Sequence, residues 1–509
     1  MTARTAGSAL LLALLAGCTV GPDFNRPASP EVSGYTPEPL AGQTASAPVP
    51  GGEAQRFVKD LDIPGQWWTL FRSQPLNALI EEAMKANPNI QAAQAALRVA
   101  QENAEAQRGA FFPTVSGRFG VTRQKSSNAS FGAPGGSIFT LNTASLDVSY
   151  APDVFGGTRR GVEAVDAQVD YQRFQVEAAY LSLTSNVVTA AIVEASLRGQ
   201  VAANEQIIAA EKSQLDVLQK QFELGGSSKA AVLAQQANLA QTQAALPGLQ
   251  KQLAQQRNLL TALAGRLPSN EVAAKFDLEG LKLPIELPVS LPSQLVDQRP
   301  DVRAAEAQLH AANAQIGVAT AAKLPQFTIT AALGRTATDF SNLFQPGSGV
   351  WSIGAGIVQP IFNAGTLEHQ RRAAIATRDQ AAAQYRATVI TAFQNVADAL
   401  RALQHDAEAL AAQVEAERSA NASLELARDQ FKLGAVSYLS LLTAEQTYQQ
   451  ARIALVQAQA NRYADTAALF QALGGGWWNR KDVAMGEDGK LLPPPKMPAE
   501  MAGTEKKND

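Results

Sequence analysis

QFELGGSSKAAVLAQQANLAQTQAAL, residues 221–246, returns in altered form as QFKLGAVSYLSLLTAEQTYQQARIAL at residues 430–455. Gln221, Phe222, Leu224, Gly225 and Ser228 fall on Gln430, Phe431, Leu433, Gly434 and Ser437. Glycine suits the left-handed residue that closes a helix, and serine suits the cap that opens the next. Each copy therefore predicts a helical hairpin with a tight tip.

The helices meeting at those tips are long. No proline interrupts the chain between Pro152 and Pro247 or between Pro360 and Pro493. Val389, Phe393, Val396, Leu400 and Leu403, continuing through Ala407, Leu410 and Val414, alternate steps of four and three, the spacing of a coiled-coil seam. A helix from Thr366 to Leu433 is roughly 100 Å long at 1.5 Å per residue. An ordinary globular domain has no use for that length.

The duplication extends beyond the tips. NPNIQAAQAAL at 87–97 pairs with RPDVRAAEAQL at 299–309, Pro113 with Pro325, and Gly157-Thr158 with Gly365-Thr366. Pro88 and Pro300 sit where proline is welcome, at the first turn of a helix. After that first helix the period changes from 3.6 to 2 in both copies. Val115, Gly117, Phe119 and Val121 alternate with Thr114, Ser116, Arg118 and Gly120, and Leu146, Val148 and Tyr150 with Ser145, Asp147 and Ser149. Phe327, Ile329, Ala331 and Leu333 alternate in the same way, as do Trp351, Ile353, Ala355 and Ile357. Runs of about nine residues suit strands that cross a membrane, although alternation by itself equally fits a soluble half-buried hairpin. Ser/Asn/Gly-rich loops are expected at 123–142 and 336–350.

A net charge of −3 gives no case for a nucleic-acid partner. Arg4 precedes an apolar run from Ala6 to Leu15, too short to span a bilayer as a helix, and the run ends Leu15-Ala16-Gly17-Cys18. Small residues before a lone cysteine resemble the lipobox of bacterial lipoproteins, which makes Cys18 the lipidation site. Thr19 in place of Asp points to the outer membrane. Cys18 is the only cysteine, so a disulfide or a cysteine metal cluster is unavailable.

No catalytic set emerges, and no enzyme is expected. His310, His369 and His405 lie on predicted helices without H-E-x-x-H spacing. Gly225-Gly226-Ser227-Ser228-Lys229 lacks the spacing of a phosphate loop and its duplicate lacks the lysine, so it reads as a turn. Glu415 and Glu417 read as a solvated face.

Open sheet edges are not tolerated in hydrocarbon, so four strands per chain require several chains for closure. Two chains supply eight strands, a barrel its own side chains fill; three supply twelve and leave a lumen. Arithmetic alone also allows a dimer or a tetramer.

The chain resembles the outer-membrane factor family of TolC-like channel-tunnels, in the OprM/NodT-type efflux lipoprotein branch. The resemblance rests on Cys18-Thr19-Val20-Gly21-Pro22-Asp23-Phe24 and on Trp67-Trp68 with Phe71 and Pro75-Leu76. It also rests on Leu291-Pro292-Ser293 leading into Arg299-Pro300-Asp301-Val302 and Ala305-Glu306. It implies an α+β membrane protein: a homotrimer with a 12-strand barrel in the outer membrane of a Gram-negative bacterium and a coiled-coil α-helical barrel crossing the periplasm. It further implies a periplasmic adaptor and an inner-membrane pump of the resistance-nodulation-division type as partners, with no cofactor beyond diacylglycerol and N-acyl lipid on Cys18. The resemblance places a periplasmic gate at Leu439 and Thr443; threonine departs there from the usual aspartate. The tips, Gly225, Gly226, Ser227 and Ser228 with Gly434, Ala435, Val436 and Ser437, are expected to dock the adaptor.

The expected organisation is a signal peptide at 1–17, a lipidated leash at 18–66 and a first repeat at 67–265 with its β-hairpin at 113–152. A Pro-rich linker follows at 266–298, then a second repeat at 299–479 with its β-hairpin at 325–361, and a disordered tail at 480–509. The function so read is a passive efflux duct. A pore-free periplasmic lipoprotein scaffold and a type I protein-secretion channel are the alternatives, and four strands of membrane length argue against the scaffold.

Overall fold

The computed structural model describes residues 19–127 and 135–480. Cys18, the expected signal peptide and the tail beyond Arg480 lie outside them. In chain order the described elements begin with β1 (Arg56–Lys59), α1 (Gln74–Ala86), α2 (Pro88–Arg108), β2 (Thr114–Ser127) and β3 (Gly136–Tyr150). Then come α3 (Gly157–Glu223), α4 (Lys229–Leu263), β4 (Glu286–Val289) and α5 (Pro292–Gln298). The second repeat supplies α6 (Pro300–Ala321), β5 (Gln326–Ala337), β6 (Gly349–Val358), α7 (Thr366–Lys432) and α8 (Tyr438–Ala472). The repeats match in length: α3 and α7 each have 67 residues, α4 and α8 each 35. A 67-residue helix is roughly 100 Å long.

The chain divides into two compact units. The first comprises Met1–Pro27, Ala95–Arg173 and Ala304–Ala387. Its centre is a four-stranded antiparallel sheet in the order β2-β3-β5-β6, so the hairpin of each repeat is joined to the other at the β3–β5 seam. β2 and β3 have 14 and 15 residues, longer than the expected nine, and they run into the segments expected as loops. Backbone pairing needs no apolar side chain, so the ladder continues through Arg123, Lys125 and Ser127. The apolar face has no core to cover: Val115, Phe119, Val121, Leu146, Trp351, Ile353 and Ile357 are all exposed.

The Val20–Phe24 segment is fastened into this same unit. Arg160, itself buried, donates to the carbonyls of Val20 and Gly21 and binds Asp23 at 2.6 Å. Asn313 donates to the Pro22 carbonyl at 3.0 Å. Phe24 stacks on His310 at 4.3 Å, and the imidazole lies 2.9 Å from Glu163. Gly21 has φ +94, and a Cβ there would stand 2.5 Å from the Gly317 Cα. Only a bare backbone fits that crossing.

The second unit comprises Ala28–Gln94, Phe174–Arg303 and Thr388–Asp509. β1 and β4 pair in parallel there. Trp67 stacks on Phe470 at 5.4 Å, and Trp477 donates to the Gln298 carbonyl at 2.6 Å. The coiled-coil positions Val389, Val396, Leu400, Leu403, Ala407 and Leu410 are buried.

The expected leash is extended, but it is no free tether. Arg462 is fully buried and takes its acceptors from that segment: Gln55 Oε1 at 2.9 Å and the Glu53 carbonyl at 3.1 Å. Tyr35 meets Phe393, and Gln55 donates to Thr466. A buried guanidinium leaves such acceptors little choice, since its desolvation is costly unless it is paired. The inter-repeat linker is likewise packed, with Val272, Phe276 and Leu281 buried. Helix α4 also continues through Pro247, held by buried Leu239 and Thr242 before it and Leu260 and Thr261 after it.

Candidate functional site

The two tips have one backbone design. After α3, the Gly226 amide donates to the Gln221 carbonyl at 2.7 Å and Gly225 to Phe222 at 3.0 Å. After α7, Ala435 donates to Gln430 at 2.9 Å and Gly434 to Phe431 at 3.0 Å. These are the paired bonds that satisfy the last carbonyls of a helix, and they require a left-handed residue. Gly225 has φ +77 and Gly434 φ +70. Ser228 and Ser437 then accept from the amides of Ala231 and Ser440, each at 3.2 Å, capping α4 and α8. A Cβ built on Gly225 or Gly434 meets nothing within 4 Å, so the conformation, not crowding, requires glycine. The residue before each glycine is a bare apolar side chain, Leu224 at 88% and Leu433 at 84% exposure.

Leu439 and Thr443 lie one helical turn apart on the outward face of α8. Leu439 is 69% exposed, and the Thr443 hydroxyl donates to the Leu439 carbonyl at 2.9 Å. That bond spends the hydroxyl proton on the helix itself, so Thr443 presents a methyl group and an oxygen but no charge. Behind them Leu218, Val232, Leu424, Tyr438, Leu441 and Leu442 form the apolar core of the paired hairpins.

A polar layer is set into that core, and the sequence reading missed it. Glu211 of α3 is buried, and its Oε1 accepts from Asn238 at 2.6 Å, Thr242 at 3.1 Å and Gln449. Gln235 donates to the Glu211 carbonyl at 3.0 Å and accepts from the Tyr438 hydroxyl. Glu445 of α8 is 5% exposed, with Arg428 of α7 at 3.9 Å. Burial pushes the Glu445 carboxyl up to about 7, helped by the charge of Glu211 and opposed by Arg428. Burial also raises Glu211, against the hydrogen bonds from Gln449, Thr242 and Asn238. Both carboxylates line a cavity of about 190 Å³ with Arg428, Tyr448 and Arg452, and the second oxygen of each accepts no hydrogen bond.

The signal for this layer was present. Gln235, Asn238 and Thr242 recur at helical spacing on the core-facing side of α4, where apolar residues are the norm. Glu445 and Thr443 also part company, one buried and one exposed, as two steps along a helix demand. Glu415 is solvated, whereas Glu417 is mostly covered and pairs with Arg452 at 3.2 Å, so the two do not share one wet face. Among the described residues no group of three or more His, Cys, Asp or Glu is arranged to hold a metal.

A profile described as outer membrane efflux protein matches residues 79–266 and 291–475. The chain is 30% identical over 486 residues to the toluene efflux pump outer membrane protein TtgF of Pseudomonas putida, covering 93% of this chain and 97% of that protein. It is 29% identical over 468 residues to the cation efflux system protein CusC of Escherichia coli, covering 91% and 96%. Among solved structures it is similar to the outer-membrane channel OprN, with a TM-score of 0.81 and 26% identity over 90% of this chain and all of that one.

Proposed function

The chain belongs to the outer membrane efflux protein family, and from that membership we propose that it is the outer-membrane duct of a tripartite efflux system. Three copies close their sheets into one barrel, and the hairpin tips receive a periplasmic adaptor coupled to an inner-membrane pump of the resistance-nodulation-division type. The chain itself is a conduit, located in the outer membrane, and it catalyses no reaction. Its cargo is small molecules, since the relatives named above, which it matches over nearly their whole length, are named for toluene and cation efflux.

One observation carries this reading. Among the described residues, the four-stranded sheet leaves its apolar face bare and both edge strands, β2 and β6, without a partner. Water penalises such a face and hydrocarbon penalises such edges, so a membrane-embedded closed ring of several copies answers both costs. Three copies enclose a lumen, which a duct needs. Detergent-extracted protein is expected to be trimeric by native mass spectrometry and to conduct ions in planar bilayers. A monomer without conductance defeats the proposal.

Diacylglycerol and an N-acyl chain on Cys18 belong to the same reading. The neighbouring Thr19–Phe24 segment, held by Arg160 and Asn313, supports it by giving the acylated end a fixed seat in the strand-bearing unit. Cys18→Ser should abolish lipid labelling in vivo; labelling that persists refutes the assignment.

A further inference from the structure

We propose that the internal β3–β5 seam is the template for the seam between copies, and that it fixes the residue register in which β6 of one copy pairs with β2 of the next. The inference rests on the multi-chain barrel of the preceding section and adds which residues face each other.

Each repeat contributes one hairpin, and the two hairpins share one pairing. Val115 pairs with Val148 in the first, and Phe327 with Ile357 in the second. With Pro113 on Pro325, Val115 corresponds to Phe327, and the two pairings then set Val148 on Ile357. Across the internal seam Val148 pairs with Ala331. Ala331 stands four residues after Phe327, as Phe119 stands four after Val115. A second seam of the same construction sets Ile357 of one copy opposite Phe119 of the next, Ala355 opposite Val121, and Ile353 opposite Arg123.

Three independent features fit that register. It brings Gly349, the first residue of β6, opposite Ser127, the last of β2, so β6 is paired along its whole length. It keeps Ile357 and Phe119 on the apolar face, where a slip of one residue would turn one strand's side chains over. On the other face it sets Gly356 opposite Gly120, so no side chain crowds that crossing.

Paired cysteines test the register in the full chain. Opposed residues in an antiparallel pair have Cβ atoms about 5 Å apart, whereas positions displaced by two residues are about 7–8 Å apart, beyond disulfide reach. Ala355→Cys with Val121→Cys, and separately Ile353→Cys with Arg123→Cys, should link copies covalently under mild oxidation. Ala355→Cys with Phe119→Cys should link at least about ten-fold less, and the single variants control for Cys18. Native mass spectrometry under reducing conditions shows whether each variant still assembles. Assembled oligomers in which the displaced pair links best, or neither designed pair links, overturn the register and leave the multi-chain reading standing. A parent protein that is monomeric overturns both.

Discussion

The two hairpin tips have the same backbone and different surroundings. Glycine in the left-handed conformation, the two closing hydrogen bonds and the serine cap agree between Gly225–Ser228 and Gly434–Ser437 to within about 0.2 Å in every corresponding bond. The side chains around them do not agree. Lys229, Ala230, Ala234 and Gln236 occupy the places of Tyr438, Leu439, Thr443 and Glu445, and Ala420 occupies the place of Glu211. Duplication kept what the turn needs and let the faces diverge. Beside its cap the first hairpin carries Lys229 and Ala230. The second carries Leu439, the buried Glu445 and the tyrosine that ties it to Gln235. We propose that two turns so alike in geometry serve docking in common and that closure of the duct falls to the second hairpin.

The largest expected effect breaks what the tips share. Gly434→Trp, and equally Gly225→Trp, should reduce drug or metal resistance in a complemented strain to that of the deletion, with trimer and barrel retained. The bulk blocks approach at a surface roughly 100 Å of helix away from the strands. Wild-type resistance with both tryptophans would remove the tips from docking. A smaller effect should separate the tips: Leu439→Ser should raise pump-free conductance several-fold, while Ala230→Ser, its counterpart, should leave it unchanged. Equal conductance in both variants would break the assignment of closure to the second hairpin.

The buried acid sharpens the contrast through pH. Glu445 is held near 7 in the folded chain and returns to about 4.3 on unfolding. The folded state therefore binds the extra proton, and stability falls as pH rises from about 4.3 through about 7. Glu445→Gln keeps the side chain neutral and should flatten that dependence, gaining up to about 4 kcal/mol relative to wild type above pH 7. Thermal unfolding at pH 5 and pH 8 reads it. Parallel shifts of wild type and variant would show that the polar layer does not titrate. The smallest expected change lies in the turns: Gly434→Ala and Gly225→Ala should each cost about 1 kcal/mol locally, from the strained φ alone. Amide exchange at the start of the following helix should rise about five-fold in both. A difference between the tips would mean that their environments, not only their dihedrals, hold them.

Local chemistry made much of this protein legible in its sequence. Gly225 and Gly434 mark the helix ends because only glycine takes positive φ without strain, and Ser228 and Ser437 mark the starts because a hydroxyl satisfies a free amide. The seam through Val389 and Leu403 and the period-2 runs state which elements form, since periodicity is a property of neighbours along the chain. What lies across the chain was decided only in three dimensions. Arg462 binds Gln55 and Arg160 binds Asp23 over separations that no local pattern records, so a segment composed like a tether became a fastened strap. Glu211 and Glu445 look like any solvated helical acids until four helices close around them, because burial, not residue type, sets the cost of their charge. Strand length followed the same rule: pairing partners extended β2 and β3 past the point where the apolar alternation ends, since the ladder is made by the backbone and the alternation only by side chains.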